Sequence, residues 1–215
     1  MNEQSFKIAK AKTPHSTVAK FIFRQRALLL FFTGILTIST LYQDVNGILL
    51  PAKLGYILTG MGAALLAAGL FVRLWASLYI VHNRNKNLVC SGPYGIVRNP
   101  LYVGNFVAVV GALTMTGSAY ATLAAFAGMA FVYYFTIQYE DERLEQFFGQ
   151  QFVEFRCRVP RVLPSIHALK ALIVDQDFDK ISYNNVGKEL ARAFQALAIV
   201  VLLLAFTYTV RHGLM

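Results

Sequence analysis

Acidic residues are missing from a long central stretch of this chain of 215 residues: none occurs between Asp44 and Glu140. Charged residues of either sign are scarce, at 14% against 56% hydrophobic, which excludes a disordered segment and an average water-soluble domain. Cysteine is nearly absent too. Cys90 and Cys157 have neither the spacing of a zinc pair nor that of a disulfide framework. The four histidines, His15, His82, His167 and His212, are scattered without ligand spacing, so no metal is assigned. No strand, glycine loop and helix precede an acidic residue, which excludes the common soluble nucleotide-binding fold. The fragment Gly60-Met61-Gly62 lies inside an apolar run and reads as a close-packing surface, together with Gly55 and Gly69. The net charge of +9 raises nucleic acid as a partner. The basic residues hug the ends of apolar runs instead of forming a stripe with interleaved aromatics, so the partner expected is the anionic surface of a lipid bilayer, not nucleic acid.

What is present is hydrocarbon in long runs. Residues 27–42, 54–81, 101–117, 119–139 and 190–210 are apolar enough to predict an all-α, polytopic membrane protein of about five transmembrane helices. The third and fourth separate at Gly117-Ser118. The first is short for a span, and its start is expected nearer Phe21, with Arg24 and Arg26 snorkelling to the surface. No small-residue cleavage site follows the basic N-terminal stretch, so no cleavable signal peptide is expected. Lys and Arg crowd one side: the N-terminal segment, the loop holding Arg84, Lys86 and Arg98, and the polar stretch from 140 to 192 hold seventeen of the twenty. The positive-inside rule puts the N-terminus and both loops in the cytosol, and the C-terminus outside. Four units result: a basic segment 1–26, helices within 27–81, a core 82–164, and a linker with the last helix, 165–215.

Chemistry concentrates at two places on the cytosolic side. In Arg98-Asn99-Pro100, Asn99 is a good N-cap and Pro100 a good first helical residue, so a helix N-terminus with its free N–H groups faces the cytosol beside a guanidinium. Such a place attracts a carboxylate or phosphate, and the turn Ser91-Gly92-Pro93-Tyr94 can fold over it. An interfacial anchor, with Tyr94 and Tyr102 as aromatic belt, explains the same residue types equally well. The second place is the acidic group Glu140, Asp141, Glu142 and Glu145. Glu142 and Glu145 read as a solvated face paired with Arg143, Arg156 and Arg158. Glu140 and Asp141 lie closest to the membrane, where ionised groups need partners, and are the better candidates for a site. Arg73, inside the second span, should face protein or snorkel. The stripe Leu144, Phe147, Phe148, Phe152, Phe155, broken at Gly149, predicts two short helices lying on the membrane. Asp175, Asp177 and Asp179 lack the glycine and closing glutamate of a calcium loop and read as solvated linker.

In order along the chain come His82, Leu88-Val89-Cys90-Ser91-Gly92-Pro93-Tyr94, Arg98-Asn99-Pro100-Leu101-Tyr102-Val103-Gly104, a helical hairpin, Glu140-Asp141, and Phe148-Gly149 through Val159-Pro160-Arg161. This ordered set resembles the isoprenylcysteine carboxyl methyltransferases and their relatives, the phosphatidylethanolamine N-methyltransferases. It departs from their pattern at Asn99, where His is common, at Asp141, where a second Glu is common, and at Phe152 and Phe155, where tyrosines stand. The resemblance implies an integral-membrane methyltransferase that takes S-adenosylmethionine as cofactor and a lipophilic acceptor reached from the bilayer. By the same resemblance Arg98 and Glu140 are catalytic. His82, Val89, Tyr94, Asn99, Pro100, Tyr102, Glu140 and Asp141 then line the cofactor pocket, in a bacterial inner-membrane protein. A nicotinamide-dependent reductase on a related sterol-reductase scaffold and a non-catalytic membrane binding module stand as alternatives.

Overall fold

The computed structural model describes residues 17–47, 52–83, 88–164 and 186–211. Every element among them is a helix: α1 (Thr17–Gly47), α2 (Ala52–Asn83), the single turn α3 (Pro93–Ile96), α4 (Pro100–Thr116), α5 (Ala119–Phe148), α6 (Gln150–Arg158) and α7 (Val186–Arg211). Helices α1, α2, α5 and α7 are each long and apolar enough to cross a membrane, and α4 is a shorter apolar helix of 17 residues. At 1.5 Å per residue α4 extends about 25 Å, somewhat less than a hydrocarbon core of about 30 Å. The chain is an integral membrane protein. The five apolar runs of the sequence thus correspond to five helices. Arg84, Lys86 and the Asp175–179 linker lie outside the described residues.

Boundaries follow local chemistry. Gly117, at a φ of 74°, closes α4 in the left-handed region that favours glycine. Ser118 Oγ then accepts from the Ala121 N–H at 3.1 Å and opens α5, so a two-residue turn joins the hairpin at the expected place. Helix α1 runs well past 27–42 at both ends. Helix α5 does not stop at 139 either. Residues 140–148 are good helix formers with no breaker before Gly149, so the acids ride on the last turns of the span. The two short helices expected over this stripe are therefore one: residues 144–148 extend α5, and only α6, beyond Gly149, is separate.

Two neighbours hold α4 in different ways. Antiparallel α2 packs along it through glycines seven residues apart: Gly62 against Gly111, Gly69 against Gly104. A Cβ on Gly104 would fall 2.8 Å from the backbone of both Gly69 and Arg73, so the helices touch at main-chain distance. Gly55 and Gly60, expected in the same surface, have nothing within 4 Å and take no part. Gly60 falls off the seven-residue row that faces α4, and Gly55, on that row, lies beyond the end of α4, since Gly62 already meets Gly111 and Met115 in its last turns. The other major pair is α1 with α5, and α7 leans on α1, α2 and α4. Arg73 on α2 hydrogen bonds to the Asn105 side chain on α4, so it faces protein as expected.

Candidate functional site

One end of the bundle gathers the turn α3, the start of α4, the last turns of α5 and the chain beyond α6. Gly92, at a φ of 61°, makes the turn into α3, and any Cβ there would strike the Tyr79 ring at about 2.5 Å. That contact seats Tyr94 beside buried Ala76 and Tyr79, with Trp75, Leu78, Val89 and Leu101 packed around them. The segment following α6 then returns across the start of α4. Arg98 N–H donates to the Pro160 carbonyl at 2.9 Å, and Asn99 Nδ2 donates to the Arg161 carbonyl at 3.2 Å.

The side chain of Asn99 therefore makes no cap for α4, contrary to expectation. Its amide is spent on the returning segment, and only its backbone carbonyl joins α4, accepting from Tyr102 and Val103. Pro100, the first helical residue, is buried.

Arg98 is no surface anchor. Its side chain is only 8% exposed, and Nη1 donates to Asp141 Oδ2 at 3.0 Å. The same carboxylate oxygen takes Arg161 Nε at 3.1 Å. Beneath lies Phe152, fully buried, its ring centre 5.9 Å from the Arg98 guanidinium carbon. The anion that the helix start was expected to attract is thus supplied by the chain itself. Burial pushes the Arg98 pKa below the ordinary arginine value, while the Asp141 carboxylate acts in the opposite direction. Arg98 Nε is buried and has no hydrogen-bond partner in the structure.

Glu140, one residue earlier, is held more loosely. Its Oε1 accepts from the Tyr102 hydroxyl at 2.8 Å, and Arg26 of α1 approaches the same oxygen at 3.8 Å from a half-exposed position. Tyr102 packs on Tyr133 of α5, ring centres 4.8 Å apart. Arg26 rests over Phe23, which in turn meets Tyr139. Farther out, Glu145 pairs with Arg156 at 2.8 Å with both side chains 41% exposed, the solvated arrangement expected for it.

Arg98, Tyr102, Glu140 and Asp141 are therefore brought together, with Asn99 and Pro100 in the same turn and Val89 and Tyr94 in the adjoining cluster. His82 falls in the last turns of α2, and its side chain is outside the described residues. Four residues of this region were not named as site residues from sequence: Arg161, Phe152, Arg26 and Tyr133. Arg161 had a signal in Val159-Pro160-Arg161, part of the ordered set. Arg26 had none, because only the fold brings α1 beside Glu140.

The recorded contacts of Asp141 all fall on Oδ2 and those of Glu140 on Oε1. Asp141 Oδ1, Glu140 Oε2 and the buried Arg98 Nε thus have no recorded partner, a donor set that matches a ligand carrying both donors and an acceptor. S-adenosylmethionine, with ribose hydroxyls, an ammonium and a carboxylate, fits that donor set. Among the described residues no group of three or more His, Cys, Asp or Glu side chains is placed to hold a metal ion.

Residues 54–151 match the family model described as phospholipid methyltransferase. Among curated relatives, the nickel-cobalt-cadmium resistance protein NccN of Alcaligenes xylosoxydans xylosoxydans is 38% identical over 122 residues, 53% of this chain and 56% of that protein. The cobalt-zinc-cadmium resistance protein CzcN of Cupriavidus metallidurans is 37% identical over 106 residues, 49% of this chain and 47% of that protein. Protein-S-isoprenylcysteine O-methyltransferase B of Arabidopsis thaliana is 35% identical over 89 residues, 41% and 45% of the two chains. The chain spans about half the length of the curated relatives it matches. No solved structure matches it. The matched segment holds Arg98, Tyr102, Glu140 and Asp141, and the resemblance to the isoprenylcysteine and phospholipid methyltransferases read from the sequence is borne out across it.

Proposed function

We propose that the protein is an S-adenosylmethionine-dependent methyltransferase of the bacterial inner membrane, with its site on the cytosolic side and a lipophilic acceptor drawn from the bilayer. The observation that carries this reading is the convergence of Arg98 with Asp141 and of Tyr102 with Glu140, 43 and 38 residues farther along the chain, at one end of a membrane bundle inside the family-matched segment. When bound, S-adenosylmethionine supplies an electrophilic methyl on a sulfonium: the acceptor's lone pair forms the new bond, the old C–S pair stays on sulfur, and S-adenosylhomocysteine leaves. Such a displacement needs alignment and exclusion of water more than acid–base machinery.

This chain's residues meet those needs as follows. Glu140 Oε2 and Asp141 Oδ1 accept from the ribose hydroxyls or the ammonium. Arg98 Nε donates to the cofactor carboxylate or to an anionic acceptor, at the reacting end with Glu140. His82, Val89, Tyr94, Asn99, Pro100 and Tyr102 form the wall. Asp141, with Arg98 and Arg161 on its other oxygen, ties the segment after α6 across the site and keeps water out.

S-adenosylhomocysteine at about 100 times its dissociation constant should stabilise the purified protein by about 2.7 kcal/mol in thermal unfolding, and NADPH should not. Glu140→Gln should weaken that binding by about 1.5–3 kcal/mol, the worth of a charge-assisted bond, with the protein still folded in the membrane. Arg98→Lys should lose most methyl transfer from radiolabelled cofactor to a lipid extract, because a point charge does not reproduce a planar fork. Stabilisation by NADPH alone would favour the reductase. No response to either ligand would favour a binding module. A reporter fused after Met215 should read as outside the cytosol; a cytosolic reading would overturn the five-helix orientation.

A further inference from the structure

Arg73 lies inside α2, a helix that crosses the membrane, where an ionised group is costly unless protein contacts offset it. The glycine seam lays the Arg73 backbone against Gly104 of α4, and its guanidinium donates to Oδ1 of the next residue, Asn105. A guanidinium carries donors only, so Asn105 gives its oxygen to Arg73 and turns its amide N–H groups elsewhere. The Tyr133 hydroxyl on α5 is hydrogen bonded to that same side chain. We propose that Arg73, Asn105 and Tyr133 form a hydrogen-bonded chain that positions Tyr102, and through it Glu140, for cofactor binding. The proposal rests on the methyltransferase reading above and adds three positioning residues to it.

Asn105 lies one turn inward from Tyr102 on α4, and Tyr133 lies two turns inward from Glu140 on α5, so each pair shares a helix face. The four side chains make two rungs between the helices. In the outer rung the Tyr102 hydroxyl donates to Glu140 Oε1 at 2.8 Å, and the inner rung joins Asn105 to Tyr133. The rings of Tyr102 and Tyr133, centres 4.8 Å apart and planes tilted by 54°, couple one rung to the other.

On its inner side Tyr133 has little to lean on. It borders a cavity of about 420 Å³ between α1, α2, α4, α5 and α7, walled by Gly34, Val109, Met129 and Val200 among others. A ring beside empty space lacks packing contacts on that side, so its hydroxyl bond fixes its place. With Tyr133 fixed, its ring sets the Tyr102 ring, and the Tyr102 hydroxyl stays on Oε1 while Oε2 is left for the ligand. Arg73 supplies the first link, because its claim on Oδ1 decides which way the Asn105 amide points.

The test measures S-adenosylhomocysteine affinity of the full chain in lipid nanodiscs, with the Tm of the unliganded protein as the check on folding. Tyr133→Phe removes one hydroxyl and keeps the ring, and Asn105→Leu removes both contacts at similar volume. Each should raise the dissociation constant about five- to ten-fold, the worth of one hydrogen bond. Asn105→Asp still accepts from Arg73 and from the Tyr133 hydroxyl, and should stay within about two-fold of wild type. On a Glu140→Gln background Tyr133→Phe should add less than about two-fold, since a chain that acts through Glu140 then has nothing left to position. Should Asn105→Leu fail to fold, Tyr133→Phe carries the test alone. Wild-type affinity in Tyr133→Phe, its full effect repeated on Glu140→Gln, or an Asn105→Asp loss equal to that of Asn105→Leu would overturn the chain and leave the methyltransferase reading standing. No binding of S-adenosylhomocysteine by the wild type would instead sink that reading, and the positioning role with it.

Discussion

Helix α4 is joined to α2 and to α5 by opposite means. Against α2 the contact is continuous and made of almost nothing: Gly62, Gly69, Gly104 and Gly111 let two backbones touch. Against α5 the middle is hollow, with Ala108 and Ala112 facing cavity, and the join is made at the end by Tyr102 with Glu140 and Arg98 with Asp141. Without a hydrophobic drive between helices in lipid, close packing holds one side and polar bonds hold the other. The packed side positions the start of α4. The hollow side leaves room for a ligand beside it.

The polar join should be the easiest to break. Asp141→Ala leaves Arg98 as a buried cation, and unfolding in mild detergent should show a loss of about 3–5 kcal/mol. Next comes the glycine seam. Gly104→Ala pushes a methyl into the backbone of α2, and the same assay should show a loss of about 1–3 kcal/mol, with the cofactor site disturbed as α4 shifts. The same substitution on the hollow side has the opposite sign. Gly34→Ala adds a methyl to open space and removes glycine from a helix interior, so stability should rise by about 0.5–1 kcal/mol. A loss at Gly34 equal to that at Gly104 would mean that the two sides are not different. Smallest is Glu145→Gln, which removes an exposed pair with Arg156 and should change stability by less than about 1 kcal/mol and leave cofactor affinity alone.

The helices were legible because a bilayer demands long apolar runs, and the run lengths read directly as spans. The hairpin turn was legible as well, since Gly117 and Ser118 are a stop and a start in adjacent positions. Where reading failed, partners lay far off in sequence. Asn99 has the chemistry of an N-cap, yet the Arg161 carbonyl takes its amide. Arg98 reads equally as anchor or site, and only its burial against Asp141 and Phe152 separates the two. Glycines in α2 look alike in sequence, but two face α4 and two face open space.

Composition and spacing by themselves determined that this chain is a helical membrane protein and that one side of it is basic, because those properties are local or additive along the chain. Which carboxylate is locked and which is left accessible was decided only by tertiary structure. Asp141 and Glu140 are neighbours on one helix, but successive positions lie about 100° apart around it. One therefore turns into Arg98 and Arg161, and the other toward Tyr102 and Arg26. The cavity is likewise a tertiary fact, since no single helix encodes an empty space and the five helices that line it must fail to close it.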